Sequence, residues 1–164
     1  MKRLVIFCVL FVLIGAYLFR QFSHIAIGAK PAANAPTDAP AGTWLTDFSA
    51  AKEQAARENK ELLIDFTGSD WCGECQQLDA KVLNTYEFQQ FAKNYVLVRL
   101  DFPHDHELSA ALREQNDALR NQYGLEGFPT VIIATASGQE ISRSEGYFGA
   151  APAVYFASFQ PRHH

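Results

Sequence analysis

Three short apolar runs constrain this chain more than any other feature. "ELLIDF" (residues 61–66), "YVLVRLDF" (95–102) and "TVIIA" (130–134) are too short for buried helices, and each reads as a strand. Helical periods separate them. "WLTDFSAAKEQAARENK" offers Thr46 or Asp47 as N-cap and sets Phe48, Ala51 and Ala55 on one face. A second helix opens at Cys72 and runs to about Val82. Asn84, with Glu87 three residues on, predicts a capping box for the short helix "YEFQQFAKN", with Phe88 and Phe91 packed inward. "ELSAALREQNDALRNQYG" predicts a long helix that turns Leu112 and Leu119 to the core and ends at Gly124. "TVIIATASGQEISRSEG" gives two strands about a turn at residues 136–139, and "APAVYFASF" a closing helix. The order α-β-α-β-α-β-β-α predicts an α/β sandwich with a central mixed sheet.

The first residues do not belong to that domain. Lys2 and Arg3 precede an unbroken apolar run from Leu4 to Phe19, followed by Arg20. A helix of that run spans roughly 24 Å, near the thickness of a hydrocarbon core, so residues 1–29 read as a signal-anchor or a signal peptide. Small residues suited to cleavage come late, at Gly28 or Ala29, which favours an uncleaved anchor. With Lys2 and Arg3 inside, the remainder faces the far side of the inner membrane, the periplasm. The Ala/Pro-rich "KPAANAPTDAPAG", residues 30–42, reads as an extended linker, leaving 43–164 as the folded domain. The net charge is −4 with no clustered basic stretch, which sets nucleic acid aside as a partner.

Of three cysteines, Cys8 lies inside the apolar run, so Cys72 and Cys75 are the only pair available to the domain. A cysteine at a helix start faces unpaired backbone N–H groups and the positive end of the helix dipole, which stabilise a thiolate. A second one at i+3 lies on the same face, within reach of a disulfide. That spacing leaves three chemistries open: a working dithiol, a structural staple, or half of a metal site. His104 and His106 in "DFPHDHE" are the nearest companion ligands. Twenty-eight residues separate Cys75 from His104 and one separates the two histidines, far from zinc-finger spacing, so no metal is expected and the loop reads as solvated. The terminal His163-His164 reads as a tail.

"DFTGSDWCGEC", then "YGLEGFPTVII", then "SEGYFG" resembles the thioredoxin family, in particular its exported single-domain members carrying "FTGSDWC". The similarity runs from about Trp44 to Phe159. It implies a thioredoxin-like three-layer sandwich and thiol–disulfide exchange with no cofactor beyond the cysteines. Cys72 is then the exposed nucleophile and Cys75 the buried resolving thiol. Pro129 is a cis-proline facing them, and Phe128 presents its backbone to an extended substrate segment. Trp71 shields one side of the disulfide, and Gly146 lies in the loop beside the groove. The partners implied are exported proteins with disulfides, and a transmembrane or exported electron donor.

Two departures from the family pattern bear on the chemistry. The family's buried carboxylate lies six positions ahead of the first cysteine; Asp65 lies seven ahead, and is the candidate proton acceptor for Cys75. Its plain alternative is a strand carboxylate bonded to local groups. Between the cysteines stand Gly73 and Glu74 where the family usually has Gly-Pro. Glu74 and Asp70 put negative charge near Cys72, opposing the dipole, which predicts a less acidic thiol and a less oxidising disulfide. A thioredoxin-fold binding or assembly module with a structural disulfide is the competing function.

Overall fold

The computed structural model describes residues 42–161. The predicted leader or anchor, all but the last residue of the linker, and the histidine tail lie outside the described residues. Among the described residues no helix is long and apolar enough to cross a membrane.

A five-stranded sheet forms the centre, in the order β2-β1-β3-β4-β5. β1 (Glu61–Thr67) and β2 (Tyr95–Asp101) are parallel, while β3 (Thr130–Ala134) and β4 (Glu140–Glu145) are antiparallel to their neighbours. The two-residue β5 (Gln160–Pro161) closes the edge. This is the mixed sheet that the strand order predicts. Both faces are covered, which is why β1 is apolar almost throughout. Leu62, Ile64 and Phe66 enter one core with Phe48, Ala51 and Ala55 of α1 (Phe48–Glu58) and Leu119 of α4 (Ala110–Gln122). Leu63 enters the other, with Leu78, Val82, Phe88 and Tyr155. Asp47 caps α1, its carboxylate accepting from Ala50 N at 3.0 Å. In α4 the buried positions are Leu119 and Asn116, whose amide donates to Asp101 O at 2.8 Å; Leu112 is half-buried.

The structure refines one local expectation and corrects another. The helix opening at Cys72 does reach Val82, but it changes pitch on the way: α2 covers Gly73–Leu78, and a π turn continues it over Asp79–Leu83. Widening by one residue lets the adjacent Val82 and Leu83 both face the core, where each is buried. The cap of α3 (Tyr86–Phe91) is Thr85, not Asn84. Thr85 Oγ1 accepts from Phe88 N at 3.2 Å and donates to Val82 O at 2.6 Å. Asn84 is taken by the preceding turn, its N–H donating to Asp79 O at 2.9 Å. Phe88 is buried, but Phe91 is only half-buried and stacks on Phe156 from α5 (Pro152–Ala157) at 4.3 Å between ring centroids.

Candidate active site

Cys72 is the N-cap of α2, and its Sγ accepts from Cys75 N at 3.2 Å. The two sulfurs are joined at 2.11 Å, with Cα atoms 5.2 Å apart. Cys72 is 7 % exposed and Cys75 2 %, so the sulfur expected to be open is nearly covered in the disulfide form, though less so than its partner. The disulfide sits at the tip of a helix whose first amides have no partner within the helix.

The segment leading into Cys72 is tied down residue by residue. Ser69 donates from its backbone N and its hydroxyl to the Asp101 carboxylate, at 2.9 and 2.6 Å. The Asp70 carboxylate accepts from His104 N at 3.0 Å and Asp105 N at 2.7 Å, with His106 Nδ1 at 3.4 Å. Those amides, His104 first, hold the Asp70 carboxyl below the usual carboxylate range. The Trp71 indole N–H donates to Phe102 O at 2.7 Å, and its ring stacks on His104 at 4.6 Å. The loop that reads as solvated is exposed but bonded: it buttresses the turn before the dithiol. Gly68 has a role not visible in the sequence. A Cβ there would overlap the Trp71 indole, so only glycine lets the ring close over the turn.

Phe128, Pro129 and Gly146 converge on the same end of the sheet. The Phe128–Pro129 bond is cis. The Phe128 ring meets Trp71 edge-on at 5.7 Å and Phe102 at 5.0 Å, and Arg120 lies over it at 5.5 Å. Pro129 O accepts from Gly146 N at 2.8 Å. Gly146 has φ +72°, and the Glu74 carboxylate lies 3.8 Å from where its Cβ would be. Gly146 is thus bonded to the carbonyl of the cis-proline, while a side chain at its position would meet the Phe148 ring first. Beside Trp71 and Phe128 opens a cleft of about 720 Å³, walled by His104, Arg113 and Arg120. Trp71 is 42 % exposed at its rim.

Asp65 lies on β1 with its side chain on the α2 face, two residues from Leu63. It is 1 % exposed. Oδ2 accepts from Arg99 Nε at 3.1 Å, while Oδ1 has no hydrogen-bond partner. The Arg99 fork also reaches Asp79 Oδ1 at 2.5 Å, and its guanidinium lies 4.5 Å from the Trp44 ring. Burial pushes the Asp65 carboxyl up to about 7, against the pull of Arg99 and helped by the Asp79 and Asp101 charges. The sequence marks Asp65 as a candidate but carries no signal for Arg99 or Asp79. Among the described residues, no group of three or more histidines, cysteines and carboxylates is arranged to hold a metal ion.

A mixed sheet covered on both faces, a helix-capping Cys-x-x-Cys and a cis-proline just ahead of β3 define the thioredoxin class of fold. The family model described as thioredoxin-like matches residues 43–136, and the chain belongs to that family. It is 32% identical over 97 residues to the disulfide bond reductase DsbH of Chlamydia pneumoniae, 58% of each chain. It is 28% identical over 113 residues to the thioredoxin-related protein DsbJ of the same organism, covering 68% of this chain and 32% of DsbJ. The chain thus spans less than two thirds of the length of either relative. A solved structure titled DsbH oxidoreductase superposes with a TM-score of 0.65 at 28% identity, over 76% of this chain and 85% of that one.

Proposed function

We propose that the protein is a thiol–disulfide oxidoreductase that reduces disulfides of exported proteins. The observation that carries this reading is the Cys72–Cys75 disulfide at the tip of α2. In the reduced protein the Cys72 thiolate attacks one sulfur of a substrate disulfide. A mixed disulfide forms, and the expelled substrate sulfur takes a proton from water. Cys75 gives its proton to Asp65, and its thiolate attacks Cys72 Sγ. The substrate's second sulfur leaves and is protonated, and the Cys72–Cys75 bond re-forms. Two electrons pass to the substrate, and a transmembrane or exported donor must return them. The cysteines are the redox centre, and neither metal nor organic cofactor enters the cycle.

Phe128 and Gly146 offer backbone to an extended substrate segment across Pro129, and Trp71 covers the disulfide on the other side. The reducing direction is supported by Glu74, whose charge at the helix start disfavours the thiolate, and by the likeness to a protein named as a reductase. Residues 1–29, as a leader or anchor, place the domain in the periplasm.

Insulin turbidity with dithiothreitol tests the activity. The wild type is expected to accelerate precipitation and Cys72→Ser to abolish the acceleration. Equal rates would leave a binding or assembly module with a structural disulfide. Cys75→Ala, which stalls the mixed disulfide, should trap exported partners covalently.

A further inference from the structure

Among the described residues, the buried side-chain oxygens without a hydrogen-bond partner are Asp65 Oδ1 and Tyr155 Oη. Leaving such an atom bare carries its full desolvation cost, so an orphan calls for a reason. These two share one face of the sheet. The register aligns Arg99, Asp65, Val131 and Ser144 in a single cross-strand row. Directly paired residues point to the same side, with neighbouring strands about 4.8 Å apart. Tyr155 of α5 packs in the core cluster that holds Val131 and Leu63, on the side of the sheet that this row faces. Its other side lines a cleft of about 500 Å³ with Ser144, Ser158 and Gly146, although Tyr155 itself is 3 % exposed. Burial, and in smaller part the Asp65 charge, pushes the Tyr155 hydroxyl upward. Ser144 lies close enough to oppose that rise without making a hydrogen bond of proper geometry.

In the cycle proposed above, Asp65 receives a proton from Cys75 and must pass it to solvent before the next turnover. Arg99 occupies Oδ2 and accepts no proton. Oδ1 is the open oxygen, and Tyr155, which lines the outer cleft, carries the other unpartnered buried oxygen. We propose that Tyr155 relays the proton between Asp65 Oδ1 and the cleft at Ser144, with single waters spanning the gaps. The Asp65 proton moves to Tyr155 Oη as the tyrosine's own proton moves outward, so Tyr155 is neutral before and after. No electrons are transferred. The charged groups that set the pH at which Asp65 loads are Arg99 and Asp101 from β2 and Asp79 from the π turn, while Tyr147, after β4, faces Tyr155.

This inference rests on the oxidoreductase reading, and the test separates the two. The full chain is assayed for kcat and KM with insulin and dithiothreitol, across neutral pH, in water and in deuterium oxide. Tyr155→Phe keeps the ring and removes the relay oxygen. The expected result is a kcat about ten-fold lower with unchanged KM, an enlarged solvent isotope effect and an unshifted pH midpoint. A packing role would move none of these. Ser144→Val plugs the outer end and should lower kcat in the same way, so it decides the matter if Tyr155→Phe fails to fold. Variants with wild-type kcat and isotope effect overturn the relay, while reduction lost in Cys72→Ser keeps the dithiol reading. No reduction by the wild type sinks both.

Discussion

Arg99 stands directly opposite Asp65 on the neighbouring parallel strand and bonds its carboxylate through Nε at 3.1 Å, while the rest of its fork turns to Asp79. One guanidinium is thus divided between a fully buried carboxylate and a quarter-exposed one. Asp65 keeps a single strong partner, too little to offset its burial. A carboxyl in that position holds its proton up to about pH 7.

Stability therefore depends on pH in an unusual sense. The folded Asp65 binds its proton more tightly than the unfolded one, so no cost arises below the ordinary value of 3.8, and stability falls as pH rises from there to about 7. The full shift corresponds to about 4 kcal/mol. Asp65→Asn is expected to flatten this decline, and denaturant midpoints across that pH interval measure it. An unchanged slope would remove Asp65 as its source.

Asp70 works in the opposite sense. Its carboxyl is held low by the amides it accepts from, so its contribution is present above the ordinary carboxylate range and lost as pH falls through its folded value. The amide proton shifts of His104 and Asp105 should titrate together at acidic pH, and Asp70→Asn should abolish that titration. Independent behaviour of the two amides would contradict the shared anchor.

The capping correction is directly measurable. Thr85→Ala removes the acceptor for Phe88 N and should cost about 1 kcal/mol in chemical denaturation. Asn84→Ala leaves that bond in place and should fall within about 0.5 kcal/mol of wild type. The reverse ranking would restore the capping box at Asn84.

Gly68→Ala should displace the Trp71 indole, since the new methyl would overlap the ring. Overpacking of this kind costs about 1–3 kcal/mol. The expected signature is a red-shifted tryptophan emission, as the indole loses its bond to Phe102 O and its stack on His104. A wild-type spectrum would mean that the turn yields instead of the ring.

What the sequence determined by itself is local. The β-capable runs, the apolar face of α1, the Cys-x-x-Cys at a helix start and the Phe128-Pro129 ahead of a strand are carried by neighbours in the chain, because burial periodicity and caps act within a few residues. Where two local signals compete, as at Asn84 and Thr85, the preceding π turn decides, since it claims the Asn84 amide. The charge system of the site belongs to tertiary structure alone. Asp65 and Arg99 are 34 residues apart and meet only through strand register, and Asp79 joins them because α2 is carried onto that face. The same register sets Ser144 in line with Asp65 beneath Tyr155. Periodicity tells which side chains are buried; only the pairing of strands and helices tells which buried charges share a partner, and that sharing sets where a proton rests.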